Sequence, residues 1–184
     1  MQTFLISTVT VALAEIGDKT QLLALILAAK YRRPWTICLG ILLATLLNHA
    51  LAGAFGAWLA ALLSPQTLRL IVALSFLAVA VWTLIPDRAD DEAARAAAHG
   101  VLLATTISFF LAEIGDKTQI ATAVIAAEYH PLWQVVAGTT SGMLLADVPA
   151  VWLGARFAQR LPLKAARIGA AALFAGLALW ILLK

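Results

Sequence analysis

Leu13-Ala14-Glu15-Ile16-Gly17-Asp18-Lys19-Thr20-Gln21 recurs unchanged as Leu111-Ala112-Glu113-Ile114-Gly115-Asp116-Lys117-Thr118-Gln119. Nine consecutive identities at an offset of 98 residues mark a duplication. The offset persists outside the motif. Tyr31 matches Tyr129, Trp35 matches Trp133, Gly40 matches Gly138, Gly56 matches Gly154 and Trp82 matches Trp180. The chain therefore divides into a first repeat over 1–86, a short charged linker over 87–98 and a second repeat over 99–184.

The surroundings of the motif decide the solvent. Of 184 residues, 62% are hydrophobic and 12% charged, with a mean hydropathy of +0.92. A soluble domain carries roughly 25% charged residues, so a small soluble enzyme is excluded, as is a disordered chain. An all-α polytopic membrane protein fits. About 20 apolar residues cross a bilayer core, and six such stretches are found, over 2–29, 35–63, 67–85, 100–127, 132–159 and 165–183. The first has no basic start and is expected to be retained rather than cleaved as a signal peptide. The net charge of +3 is read as loop charge of a membrane protein, not as nucleic-acid binding. The lone Cys38 makes no internal disulfide.

Three spans per repeat is an odd number, so the second repeat is expected to enter the membrane upside down. Six helices as two inverted three-helix repeats is a plan of secondary transporters, with the site near the midplane where the repeats meet. Lysine and arginine set the orientation. With both termini outside, the cytoplasmic side carries Lys30, Arg32, Arg33, Arg88, Arg95, Arg156, Arg160, Lys164 and Arg167, against Arg69 and Lys184 outside.

A charge at the bilayer centre costs several kcal/mol unless it is paired or hydrated. Glu15 and Asp18, and likewise Glu113 and Asp116, are three apart and share a face if their helix is continuous. Convergence of the repeats brings four carboxylates around one cavity. Such an all-oxygen cluster suits Ca²⁺, Mg²⁺ or Mn²⁺. Thr20, Thr118, Gln21 and Gln119 add neutral oxygens. Gly17 and Gly115 allow close helix approach or an unwound backbone. Lys19 lies four residues from Glu15, and Lys117 four from Glu113, at the spacing of intrahelical ion pairs. Four carboxylates (−4) and two lysines (+2) leave −2, which one divalent ion or protons neutralise. That is the logic of a cation/proton antiporter.

Asp147 in the fifth span, two residues before Pro149, is a further candidate as ligand, proton relay or buried hydrogen-bonding group. Its counterpart is His49, beside Asn48. Thr139, Thr140 and Ser141 are candidates to line the path. Most intramembrane hydroxyls are expected to bond their own helix.

With Glu-Ile-Gly-Asp-Lys-Thr present twice in a six-span duplicated chain, the sequence resembles the Gdt-type cation exchanger family, also called the calcium:cation antiporter-2 family. Bacterial manganese exporters of the MneA type are among its members. The resemblance covers the full length and implies export of Mn²⁺, or Ca²⁺, in exchange for H⁺. It assigns the signature acids to Glu15, Asp18, Glu113 and Asp116. It implies no enzyme activity, no bound cofactor and a transported metal ion as the partner, in membrane lipid. Lacking the leader and long central loop of organellar members, the chain looks like the minimal form of a bacterial plasma membrane. The alternative is a proton-driven exporter of small organic solutes such as amino acids, which would want a carboxylate-binding site that no mid-span arginine supplies. An intramembrane enzyme or a passive channel fits two opposed motifs less well.

Overall fold

The computed structural model describes residues 1–85, 100–153 and 163–183. The described residues are helical and contain no strand. The first repeat forms α1 (Gln2–Glu15), α2 (Lys19–Tyr31), α3 (Pro34–Leu62) and α4 (Pro65–Thr83). The second forms α5 (Val101–Glu113), α6 (Lys117–Glu128), α7 (Leu132–Leu153) and α8 (Leu163–Leu183). The linker over 87–98, with Arg88 and Arg95, lies outside the described residues, as do Arg156, Arg160 and Lys184.

The breaks at 30–34 and 64–66 stand where proline and polar residues end the apolar runs. Ser64 caps α4 by accepting the Thr67 N–H at 3.3 Å, with Pro65 at the first helical position. The expected first and fourth spans are each corrected. Neither is one continuous helix. Each stops at the motif glutamate and restarts four residues later at the motif lysine.

Among the described residues three helices are long and apolar enough to cross a membrane, over Pro34–Leu62, Pro65–Thr83 and Leu132–Trp152. Polarity is inverted relative to a soluble protein. Leu47, Leu51, Phe55, Trp58, Leu74 and Val81 are exposed, while Glu15, Asp18, Glu113, Asp116 and Asp147 are buried. Lipid as solvent demands this distribution, and the chain is a multi-pass membrane protein.

Packing is reciprocal between the repeats. α1 packs on α7, and its counterpart α5 packs on α3. Small residues make these contacts close. A Cβ on Gly138 would lie 2.6 Å from the Phe4 carbonyl oxygen, and one on Gly40 would lie 2.7 Å from Thr105 Cβ. The reciprocity fails for α4 and α8. They pack on each other through Phe76 and Phe174, whose rings are 6.0 Å apart. As a pair they lie against α6 and α1; their contacts with α5 and α2 are slight at most among the described residues. The two motifs also differ in exposure. Gly17 is buried, whereas Ile114 and Gly115 are exposed.

Candidate functional site

The site begins with two backbone breaks. At Ile16-Gly17-Asp18 and Ile114-Gly115-Asp116 the chain leaves one helix and enters the next. Gly17 has φ +80° and Gly115 φ +73°, a conformation that a side chain resists. Asp18 N–H donates to the Glu15 carbonyl at 2.9 Å, and Asp116 N–H to the Glu113 carbonyl at 3.0 Å. Broken helices of this kind place polar backbone and helix ends inside a membrane protein.

The motif holds its own break. Gln21 Oε1 accepts the Gly17 N–H at 2.9 Å, and Gln119 Oε1 accepts the Gly115 N–H at 2.7 Å. Thr20 donates its hydroxyl to Glu15, and Thr118 to Glu113 Oε2 at 2.8 Å. Each glutamate keeps a second oxygen, Glu15 Oε2 and Glu113 Oε1, that is buried without a hydrogen-bond partner. The glutamine amides then reach the opposite repeat. Gln21 Nε2 donates to the Ala146 carbonyl at 3.1 Å, and Gln119 Nε2 to Asn48 Oδ1 at 2.6 Å. Positions 48 and 146 are themselves repeat counterparts. Sequence reasoning named Asn48 only as the neighbour of His49 and gave it no role.

The lysines differ from expectation. The break takes Lys19 and Lys117 off the helices of Glu15 and Glu113, so neither forms the intrahelical pair. Instead Lys117 Nζ lies 2.8 Å from Asp18 Oδ2, and Lys19 Nζ 3.6 Å from Asp116 Oδ1. Each aspartate faces the lysine of the other repeat. The expectation that Glu15 and Asp18 share one helical face is corrected too: Glu15 ends α1, and Asp18 caps α2 by accepting the Lys19 N–H at 2.5 Å.

The two motifs share one electrostatic environment. Glu15 interacts through space with Asp147, Asp18, Glu113 and Asp116. Asp147 interacts most with Asp18 and is fully buried, with neither oxygen hydrogen-bonded. His49, its counterpart, is buried with both ring nitrogens unpartnered. The carboxylates are neighbours but not a formed ion cage. Among the described residues no three acid, imidazole or thiol side chains stand together at the distances of one metal ion. The geometry gives the reason: the aspartates are turned to lysines and the glutamates to threonines.

Among the hydroxyls, Thr105, Thr106 and Thr139 bond backbone carbonyls of their own helices, whereas Thr45 and Thr140 are buried without a partner. A groove of about 460 Å³ between α3, α4 and α6 reaches Gln119. Its walls are Leu51, Phe55, Leu68 and Ile71 with Ser75 as the other polar group, so it is no route for an ion.

Comparison with known proteins agrees with this geometry. The family described as "Divalent cation/proton antiporter GDT1" matches residues 3–91 and 101–184. A Vibrio cholerae serotype O1 protein named "Putative manganese exporter" is 51% identical over 180 residues, covering 97% of this chain and 90% of that one. A GDT1-like protein of Synechocystis is 30% identical over 166 residues, covering 80% of each chain. No solved structure matches the chain. With both repeats matched, the chain belongs to the GDT1 family of divalent cation/proton antiporters and is a transporter, not an enzyme.

Proposed function

We propose that the chain exports Mn²⁺, with Ca²⁺ as a second substrate, from the cytoplasm in exchange for H⁺. Glu15, Asp18, Glu113 and Asp116 bind the ion, and Asp147 joins them. The carrying observation is the meeting of the two motifs: five buried carboxylates interact, and two of them are held by lysines of the opposite repeat. Such a site demands positive charge, and its oxygen donors suit a hard divalent ion. The same oxygens accept protons, so metal and protons neutralise one site in turn. Manganese is favoured by the relative that covers most of the chain, which is named for its export.

The transport cycle rests on two inverted three-helix repeats in a bacterial plasma membrane, with both termini outside. The odd number of spans per repeat and the excess of lysine and arginine on one set of loops support that arrangement. One helix unit rocks against the other and exposes the carboxylates to each side in turn.

Liposomes holding the purified protein and a pH-sensitive dye test this. Mn²⁺, Ca²⁺ and Mg²⁺ are added in turn to wild type, Glu15→Gln and Glu113→Gln. Proton movement driven by Mn²⁺ and lost in both variants is expected. Metal entry without proton movement would replace antiport by a channel or uniporter. No response to any metal would favour an organic-solute exporter.

A further inference from the structure

Lys19 and Lys117 occupy equivalent places in the duplicated motif, yet their ion pairs are unequal. Lys117 meets Asp18 at 2.8 Å with its side chain 3% exposed. Lys19 stands 3.6 Å from Asp116 and is 25% exposed. The backbone beside Asp116 is also open: Ile114 and Gly115 reach the surface, where the equivalent Gly17 is buried. The lysine pair across one half of the site is tight, and the pair across the other is loose.

We propose that Lys19 is a displaceable tethered cation that competes with the transported ion for Asp116 and so selects divalent over alkali cations. The proposal rests on the reading of the chain as a divalent-cation transporter. An ammonium carries the same charge as Na⁺ or K⁺. Held on the neighbouring repeat, it is present at high effective concentration. An alkali ion that replaces it adds no charge and must overcome that concentration. A divalent ion brings twice the charge to the same carboxylate oxygen, which doubles the Coulomb term at equal distance.

The residue type and its surroundings suit this task. Lysine is a compact charge on a flexible stem and does not lock onto a carboxylate as the planar fork of arginine does. The helix break removes the alternative partner four residues back, because Glu15 lies on the preceding helix. Lys19, a quarter exposed, has room to swing away from Asp116, whereas Lys117 is enclosed. Lys117 thus joins the repeats, and Lys19 is the cation that yields. A change in selectivity follows from losing Lys19 and not from losing any structural tie.

The test is Mn²⁺ transport by the full chain in liposomes, with Lys19→Met, Lys19→Arg and Lys117→Met beside wild type. Lys19→Met is expected to lower the KM for Mn²⁺ by about two- to fivefold, the worth of a partly exposed ion pair. It is also expected to make transport sensitive to added Na⁺ or K⁺, whereas wild type is expected to be indifferent to them. Lys19→Arg binds Asp116 more firmly, so its KM should rise while indifference to alkali ions is kept. Lys117→Met should reduce the maximal rate without a fall in KM. If Lys19→Met fails to purify as a single species, Lys19→Arg decides alone. An unchanged KM in Lys19→Arg, or a wild-type KM and wild-type alkali response in Lys19→Met, overturns the proposal and leaves manganese transport standing. Absence of Mn²⁺ transport by wild type would overturn the transport reading itself.

Discussion

Gln119 donates to Asn48 Oδ1 at 2.6 Å while accepting the Gly115 N–H at 2.7 Å, so one side chain holds a helix break and ties it to α3. Gln21 does the same for Gly17 and the Ala146 carbonyl. The two breaks differ in exposure, and that difference is testable. An N–H stripped of its acceptor and shielded from water costs about 1–3 kcal/mol, whereas one that opens to a water-filled ion path, as is expected for the more open second motif, recovers a partner. Gly17 is buried and Gly115 exposed. Gln21→Ala is therefore expected to lower the thermal midpoint in detergent well below that of Gln119→Ala. Equal midpoints would show that both breaks are equally shielded.

Asp147 combines burial with two unpartnered oxygens. A carboxylate in that position opposes folding, because its desolvation is not repaid by hydrogen bonds. Asp147→Asn removes the charge at little change in volume. The variant should keep or exceed the wild-type thermal midpoint while its KM for Mn²⁺ rises by about tenfold, or 1.4 kcal/mol. Stability and transport would then move in opposite directions. A lower midpoint with unchanged transport would make Asp147 a structural residue.

The duplication, the six apolar stretches and the buried acids could be read from the chain because each is local or strictly periodic. The break at Ile16-Gly17-Asp18 could not be placed, since Leu13, Ala14 and Ile16 carry the apolar pattern into it and Thr20, Gln21 and Leu22 resume as a helix would. Gly17 signalled freedom without saying whether it serves close packing or unwinding. The lysine partners followed the same fate. The four-residue spacing of Glu15 and Lys19 implies a local pair only while the helix is continuous, and the opposite aspartate becomes the partner once it is not. The non-reciprocal packing of α4 and α8 was invisible, because equal repeats give no hint of unequal packing.

Gly138 and Gly169 separate close approach from helix propensity. A Cβ at Gly138 would lie 2.6 Å from the Phe4 carbonyl oxygen and 2.7 Å from Ser7 Cβ, whereas one at Gly169 would meet nothing within 4 Å. Gly138→Ala must push α1 off α7, an overpacking cost of about 1–3 kcal/mol. Gly169→Ala gains helix propensity, worth up to about 1 kcal/mol. Thermal unfolding in detergent should show a lower midpoint for the first and an equal or higher one for the second. A neutral Gly138→Ala would mean that α1 and α7 are not held at this distance.

The unformed cage makes metal stabilisation a demanding test. No three ligating side chains of the described residues stand ready for one ion, and two aspartates face lysines. A bound ion must therefore draw the carboxylates in and release at least one lysine, and part of its binding free energy goes into that rearrangement. What remains still favours the folded state by mass action, by about 2.7 kcal/mol at a hundredfold excess over Kd. Mn²⁺ added to chelator-treated protein is expected to raise the thermal midpoint, with the rise reversed by chelator and absent in Glu15→Gln and Glu113→Gln. Because the ion bridges both motifs, either single substitution should remove most of the effect rather than half. A rise that persists in both variants would place the ion away from the motif carboxylates, and half-effects in each would mean two separate sites, one per repeat.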